Sequence, residues 1–448
     1  MMTRRDMLKL LGAGTGSLGL AAVAQDPFAA RAAHFRPRAK RLIHLFMNGG
    51  PSQVDTFDPK PSLTTYAGQR PAAVNLSTER KTFNLFPSPF PFRKHGKSGL
   101  EISSLFPKLA AHADELCVIR SMHTDIPNHE PGLLMMCTGS NLPIRPSMGS
   151  WLLYGLGSES RNLPGFLALC PGRPGVVGPQ LWSNSFLPGV YQGAHVVNRN
   201  MKPGSVIADL SSPLPAPAQR EQLDLLQALN GAHAEARPGD NALQARIHSM
   251  EMAFRMQAEA QEVFDLNRES AATRAMYGKG DFNDGCLLAR RLVERGVRVV
   301  QLYYDAKENW DSHESTAHHE GCAKRVDQPI AALLADLKQR GLLEDTLVLW
   351  GGEFGRTPTA EGNSTGRDHN HYGFSVWMAG GGVKGGMAYG ATDEFGFAAV
   401  ENRMHVHDLH ATILHLMGLD HEKLTFRYSG RDFRLTDVEG KVATAILA

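Results

Sequence analysis

Four stretches of this 448-residue chain concentrate side chains able to hold cations or move protons. The first reads Gly49-Gly50-Pro51-Ser52-Gln53-Val54-Asp55-Thr56-Phe57-Asp58. Its glycines let backbone approach a ligand closely. Its hydroxyl and carboxylates suit a metal site or an activated nucleophile, with Ser52 as a candidate attacking group and Asp55 as a candidate ligand. The same residues could instead cap a turn. The second stretch, His123-Thr124-Asp125-Ile126-Pro127-Asn128-His129, crowds two imidazoles, a hydroxyl, a carboxylate and an amide together, which packing alone explains poorly. Thr124 is the alternative nucleophile there and His129 a candidate proton carrier. In the third, Trp310-Asp311-Ser312-His313, alternate residues of an extended segment point the same way, so Asp311 and His313 can share one ion. Carboxylate plus imidazole suits zinc, manganese or iron. The fourth stretch is Gly351-Gly352-Glu353-Phe354-Gly355-Arg356-Thr357-Pro358, followed by Gly366-Arg367-Asp368-His369-Asn370-His371. It offers Glu353, Asp368 and His369 as ligands, and the planar forks of Arg356 and Arg367 for a phosphate or sulfate group.

Such groups need a frame that brings them together. Arg41 to Met47 is a short apolar run stopping at Asn48-Gly49-Gly50-Pro51, the way a buried parallel strand ends in a loop above a sheet. Leu116 to Ile119, Val297 to Tyr304 and Thr346 to Trp350 read the same way. Helical spacing is expected at Ile102 to Ala113, Asn241 to Ala275, Cys286 to Arg295, Val326 to Arg340 and Asp408 to Met417. Helix, glycine, strand and loop in alternation predict right-handed βαβ units in a parallel sheet, hence an α/β fold. Asn75 to Ser98 reads as a surface excursion, and the Pro/Gly-rich residues 160–235 as loops and a cap inserted in a single domain spanning 40–448.

The N-terminus reads Thr3-Arg4-Arg5-Asp6-Met7-Leu8-Lys9, then an uncharged Gly/Ala/Leu-rich run from Leu10 to Ala24. This is the pattern of a twin-arginine export signal over 1–24, with a linker over 25–39 and a periplasmic or otherwise extracytoplasmic destination. The run is shorter than the ~20 residues a membrane span requires, and no stable span is expected in the mature protein. Formal charge is close to balanced at +2, which argues against nucleic acid or an anionic membrane as partner. Five scattered cysteines lack C-x-x-C spacing, so one disulfide is allowed and none is required. The four histidines His405, His407, His410 and His415 read as parts of a closing helix.

Taken together, five of these motifs resemble one exported family, the domain-of-unknown-function family numbered 1501, within the alkaline-phosphatase/sulfatase superfamily. They are His44 to Gln53, Arg145 to Trp151, Trp310-Asp311-Ser312-His313, Gly352 to Pro358 and Gly366-Arg367-Asp368-His369. Glu353-Phe354-Gly355-Arg356 resembles the Asp-His-Gly of sulfatases and phosphodiesterases, and Asp368-His369 their last metal histidine. Phe354 stands where the second-metal histidine would be, and no Cys-x-Pro-x-Arg or Ser-x-Pro-x-Arg stretch is in register, so the sulfatase formylglycine nucleophile is missing. The resemblance implies a doubly wound, mostly parallel α/β sheet flanked by helices and, at its strand ends, metal-assisted hydrolysis of a phosphate or sulfate ester, on a small molecule or a polysaccharide. The expected ligands of a divalent ion (zinc, manganese or calcium) are Asp55, Asp311, His313, Glu353, Asp368 and His369. Ser52 or Thr124 would attack, His129 would move protons and Arg356 would hold the anion. The rival expectation is a catalytically degenerate member of the same fold that binds a glycan or a partner protein.

Overall fold

The computed structural model describes residues 30–171, 177–199, 214–237, 240–304 and 309–448. Residues 1–24, where an export signal is expected, and the first residues of the expected linker lie outside them. Among the described residues no helix is long and apolar enough to cross a membrane.

Short, mostly apolar runs form the strands of a central sheet, and those in its middle are buried almost throughout, because a strand covered on both faces has no need of polar alternation. In chain order they are β1 (Arg41–Phe46), β2 (Leu116–His123), β3 (Phe166–Cys170), β4 (Ala194–Val197), β5 (Val299–Tyr303), β6 (Thr346–Gly351), β7 (Phe374–Ala379), β8 (Met387–Tyr389) and β9 (Met404–His405). The spatial order is β8-β2-β7-β6-β1-β5-β3-β4, with β9 also paired to β2. All pairings are parallel except those of β7, which runs antiparallel to β2 and β6. One face packs against helices α3 (Asp281–Glu294) and α4 (Ala317–Gln339) through Leu288, Leu292, Ile330 and Leu334. The other packs against α1 (His129–Thr138), α2 (Met148–Leu156) and α5 (Val406–Leu416) through Met136, Trp151, Leu409 and Ile413. The doubly wound, mostly parallel α/β architecture is therefore present. All five cysteines are buried free thiols.

Register decides where the loops emerge. Phe46 of β1 stands opposite Tyr303 on one side and Gly351 on the other, so β1, β5 and β6 leave the sheet at one level. The reversal of β7 matters as much. Its first residue, Phe374, pairs with Met122 near the end of β2, so the chain just before β7 arrives at the rim where the parallel strands finish.

Several local expectations are corrected. Ile102 to Ala113 is not a helix: Leu100–Ser103 pairs with Phe92–His95, and Leu109–Glu115 is a 3-10 turn. Pro107 explains this, since it has no N–H for a helical bond and its ring clashes with the preceding turn. The Pro/Gly-rich residues 160–235 contain β3 and β4 as well as a helix, Ala216–Glu235. The apolar pentapeptide of β3 is framed by Gly165 and Pro171, and that punctuation delimits a buried strand as well as a loop. The excursion at 75–98 includes Thr82–Leu85, which pairs with Thr359–Glu361. Order also begins before Lys40: the amides of Arg31 and Arg38 donate to the carbonyls of Leu156 and Leu416.

Under the rim, Trp350 of β6 stacks on Trp377 at 6.1 Å between ring centres and meets Trp310 edge-on at 6.3 Å. Trp350→Ala is expected to lower the free energy of unfolding by about 3–5 kcal/mol, the usual cost of deleting a buried indole. Urea denaturation checks this; a loss below about 1 kcal/mol would mean that the ring does not support the rim.

Candidate metal centre

The loop after β1 turns at Gly49 with φ +105°, a conformation that L side chains rarely adopt. A Cβ there would stand 2.4 Å from the backbone nitrogen of Asp311, so the two loops touch only because this residue is glycine. Arg356, fully buried, ties the same loops together. It donates from Nε to the carbonyl of Gly50 at 3.0 Å and from Nη2 to Asp311 Oδ1 at 2.7 Å, and also to the carbonyls of Gly49 and Arg367. Its own amide donates to Gln53 Oε1 at 2.9 Å.

Three imidazoles converge on Asp311. Its Oδ1 lies 2.9 Å from Nε2 of His313, 3.2 Å from Nε2 of His129 and 3.5 Å from Nε2 of His369. The His129 and His369 rings meet at 4.3 Å between centres, and Phe354 packs against both. Each imidazole is fixed through its other nitrogen. His129 Nδ1 faces Glu353 Oε1 at 2.6 Å, His313 Nδ1 faces Glu361, and His369 Nδ1 faces Glu79 Oε2 at 2.6 Å and the Pro127 carbonyl at 2.9 Å. Glu353 Oε1 also accepts from the Gly49 amide at 2.9 Å. A carboxylate or carbonyl behind Nδ1 is the arrangement that orients metal-binding histidines with Nε2 forward.

The charges follow from these contacts. Burial opposes ionisation of His129, yet Asp311 and Glu353 outweigh it and lift its pKa to about 9. His313 is raised as well, burial again losing to Asp311 and Glu361. Asp311 is held far below the usual carboxylate range despite burial, by its contacts with the three histidines and then by Arg356. His369 moves the other way, down to about 4, because burial dominates and the charges of Arg356 and His129 add to it against the pull of Asp311.

The cluster can accept a cation. His129 Nε2 and His369 Nε2, both buried, face Asp311 at ion-pair distance but without hydrogen-bond geometry, and the buried Glu353 Oε2 has no hydrogen-bond partner among the described residues. Groups so placed are costly unless something else satisfies them. Two sets of donor atoms, from His129, Asp311 and His369 and from His313, Asp368 and His369, each lie within 4.8 Å of one another. Donors held ~2.0 Å from a tetrahedral ion stand about 3.3 Å apart. The spacings of 3.2 and 3.5 Å from Asp311 to His129 and His369 match that with little movement.

Of the residues singled out from sequence, Asp311, His313, His369, Asp368, Glu353, His129 and Arg356 are brought to this rim. Their places differ in detail from expectation. Glu353 holds His129 and belongs to neither donor set. Asp368 accepts from the amides of Arg80 at 2.6 Å and His369 at 2.8 Å, and burial raises its pKa. Arg356 orients Asp311 with a buried fork and does not face an incoming anion. His129 presents Nε2 to Asp311 in place of a free proton-carrying nitrogen.

Asp55 and Ser52 stand apart from the imidazole cluster, paired with each other and with Arg367. Asp55 takes Arg367 Nε at 2.8 Å and Nη2 at 3.2 Å in a fully buried ion pair, and Ser52 Oγ donates to Asp55 Oδ2 at 2.6 Å. Burial pushes the Asp55 carboxyl up, but Arg367 and Ser52 bring it below its ordinary value. Neither residue belongs to a donor set, and a fully buried hydroxyl committed to a carboxylate is not placed to attack. Thr124 donates its amide to the His371 carbonyl at 2.9 Å, and no contact joins it to Asp311 or the three imidazoles among the described residues.

Sequence reasoning missed Glu79, Arg80 and Glu361. They reach the rim through the pairing of Thr82 with Glu361, two short strands far apart in the chain. Neither carries a motif, and no local signal would have linked them.

No curated protein matches the chain. Solved structures with a similar arrangement include the PsFucS1 sulfatase from Pseudoalteromonas sp. (15% identity, 92% of this chain and 72% of that one, TM-score 0.39). Others are the lipoteichoic acid synthase LtaP from Listeria monocytogenes (9%, 91% and 78%, TM-score 0.39) and an alkaline phosphatase superfamily protein from Vibrio parahaemolyticus (10%, 88% and 70%, TM-score 0.39). Residues 39–447 match the family described as "Protein of unknown function (DUF1501)", and the chain belongs to that family.

Proposed function

We propose that this protein is an exported, metal-dependent hydrolase of a phosphate or sulfate ester, working in the periplasm or outside the cell. The observation that carries the reading is the convergence of three histidine Nε2 atoms on one Asp311 oxygen at ligand spacing, two of them buried and facing it without hydrogen-bond geometry. His129, Asp311 and His369 would hold the ion, with His313 and Asp368 beside it. Imidazole with carboxylate favours zinc or manganese over calcium, which prefers oxygen alone. A divalent ion bound there acidifies water and neutralises charge growing on the equatorial oxygens of the ester.

The protein's own contribution is orientation. Glu353, Glu361 and Glu79 hold the three imidazoles so that Nε2 points inward, and Arg356 fixes Asp311. With Ser52 buried and Thr124 off the cluster, the attacking oxygen in this reading comes from water. The burial of Ser52 also favours a second reading, a degenerate member of the fold that binds a glycan or partner protein without turnover.

Elemental analysis of the folded protein should find bound zinc or manganese, and hydrolysis of an aryl phosphate or aryl sulfate should depend on it. Asp311→Asn should abolish both metal retention and turnover. Glu353→Gln, which leaves a side chain behind His129 but removes its charge, should weaken metal affinity about 10- to 100-fold. Metal-loaded protein that hydrolyses neither ester would point to the binding reading, and protein that takes up no metal would defeat the centre itself.

Protonation gives an independent check on chelator-treated protein. His129 has a folded pKa of about 9 against a free value of 6.5, so the stability it contributes is complete below pH 6.5 and lost as pH rises through about 9. The melting temperature of the chelated protein should therefore fall across that window, and Glu353→Gln should flatten the fall. A melting temperature independent of pH from 6.5 to 9 would contradict the ion pairing described for His129. Because His129 must give up that proton to a metal, zinc uptake at pH 7 should release protons, measured by calorimetry in buffers of different ionisation enthalpy.

A further inference from the structure

An anionic ester approaching this rim enters the field of four carboxylates, those of Asp311, Glu79, Glu361 and the buried Asp368. A bound ion offsets part of that charge, but something must also orient the oxyanion. The two arginines suggested by sequence are spent: Arg356 on Asp311 and three carbonyls, and Arg367 on Asp55 and the carbonyls of Thr357 and Phe86.

Arg80 is different. Its backbone N–H donates to Asp368 Oδ2 at 2.6 Å, and its neighbour Glu79 places a carboxylate oxygen 2.6 Å from His369 Nδ1. The strand that follows pairs Thr82 with Glu361. The loop is thus pinned to the rim at three points that do not involve the guanidinium. The guanidinium itself donates from Nη1 to Glu361 Oε1 at 3.1 Å, and Glu361 uses its other oxygen on His313. It therefore sits one carboxylate away from the imidazole cluster, and Asp368 and Asp311 add to the pull of Glu361 that holds its charge. Nε and Nη2 have no partner among the described residues, and the side chain is 53% exposed. A planar N–H edge, aimed from a pinned loop and left open to solvent, fits two oxygens of one tetrahedral group.

We propose that Arg80 binds the tetrahedral oxyanion of the substrate, a phosphate or sulfate group, through the Nε/Nη2 edge of its guanidinium. This rests on the hydrolase reading for its biological meaning, but anion binding can be measured without turnover. Glu361 holds the other edge, which leaves the Nε/Nη2 edge open to the group.

Arg80→Gln removes the guanidinium and keeps the backbone N–H on Asp368. Lys81→Gln removes the same charge one residue away, where the ammonium lies 5.4 Å from the Phe83 ring centre. Inorganic phosphate and inorganic sulfate are titrated separately, by calorimetry at low salt, into the wild type, both variants and Arg80→Lys, each as isolated and after loading with zinc. The wild type should bind at least one of the two, and the better ligand indicates which class of ester the site takes. Arg80→Gln should weaken that binding about tenfold or more, Arg80→Lys by less, and Lys81→Gln by no more than about twofold, as expected for a charge-assisted contact against general field effects. Zinc content should be unchanged in Arg80→Gln. If aryl esters are hydrolysed, the loss should fall mainly on KM. Equal weakening by Arg80→Gln and Lys81→Gln, or a wild type that binds neither anion in either state, would overturn the assignment. Binding through Arg80 in a protein that hydrolyses neither ester would uphold it while removing the catalytic reading.

Discussion

One carboxylate oxygen organises the rim of this protein. Asp311 Oδ1 sits within 3.5 Å of three imidazole nitrogens and within 2.7 Å of a buried guanidinium. His313 shares a loop with Asp311, His129 opens a helix, and Arg356 and His369 face each other on two short paired strands. The three histidines need an acceptor or an ion in front of Nε2 and an anchor behind Nδ1. Glu353, Glu361 and Glu79 supply the anchors. The result is a cluster in which acid and base are matched in pairs, while the inward nitrogens of His129 and His369 meet Asp311 as ion pairs without hydrogen-bond geometry.

That cluster is possible because of how the sheet is wound. Parallel strands β1, β5 and β6 end level, so the loops carrying Gly49, Asp311 and Glu353 start side by side. His129 opens the helix that follows β2, and His369 precedes β7, the one strand of the sheet that runs against its neighbours. If β7 were parallel, His369 would approach from the opposite rim. The topology therefore has a direct chemical consequence: reversing one strand brings in the third imidazole.

Much of this could be read along the chain. The apolar runs that stop at glycines marked β1 and β6, and the Asp311-x-His313 spacing put two of the central groups on one side of an extended segment. Glu353, Asp368 and His369 were legible as polar groups crowded after a strand. The failures share a physical cause, which is that sequence shows a side chain's chemistry and not its partner. Ser52 and Asp55 look the same whether they face a substrate or an arginine; here Arg367, some three hundred residues away, claims Asp55, and Asp55 claims Ser52. Arg356 likewise has the chemistry of an anion fork, but three backbone carbonyls and Asp311 occupy its donors. Glu79, Arg80 and Glu361 were invisible because only the pairing of two three- to four-residue strands brings them to the rim, and strands so short have no periodicity to detect.

The most direct test of the centre is a crystal structure of the zinc-soaked protein with anomalous data collected at the zinc edge. The account predicts a peak about 2.0–2.2 Å from Nε2 of His129, Nε2 of His369 and a carboxylate oxygen of Asp311. A zinc peak elsewhere, or none at this rim with the three side chains still paired as they are here, would contradict it.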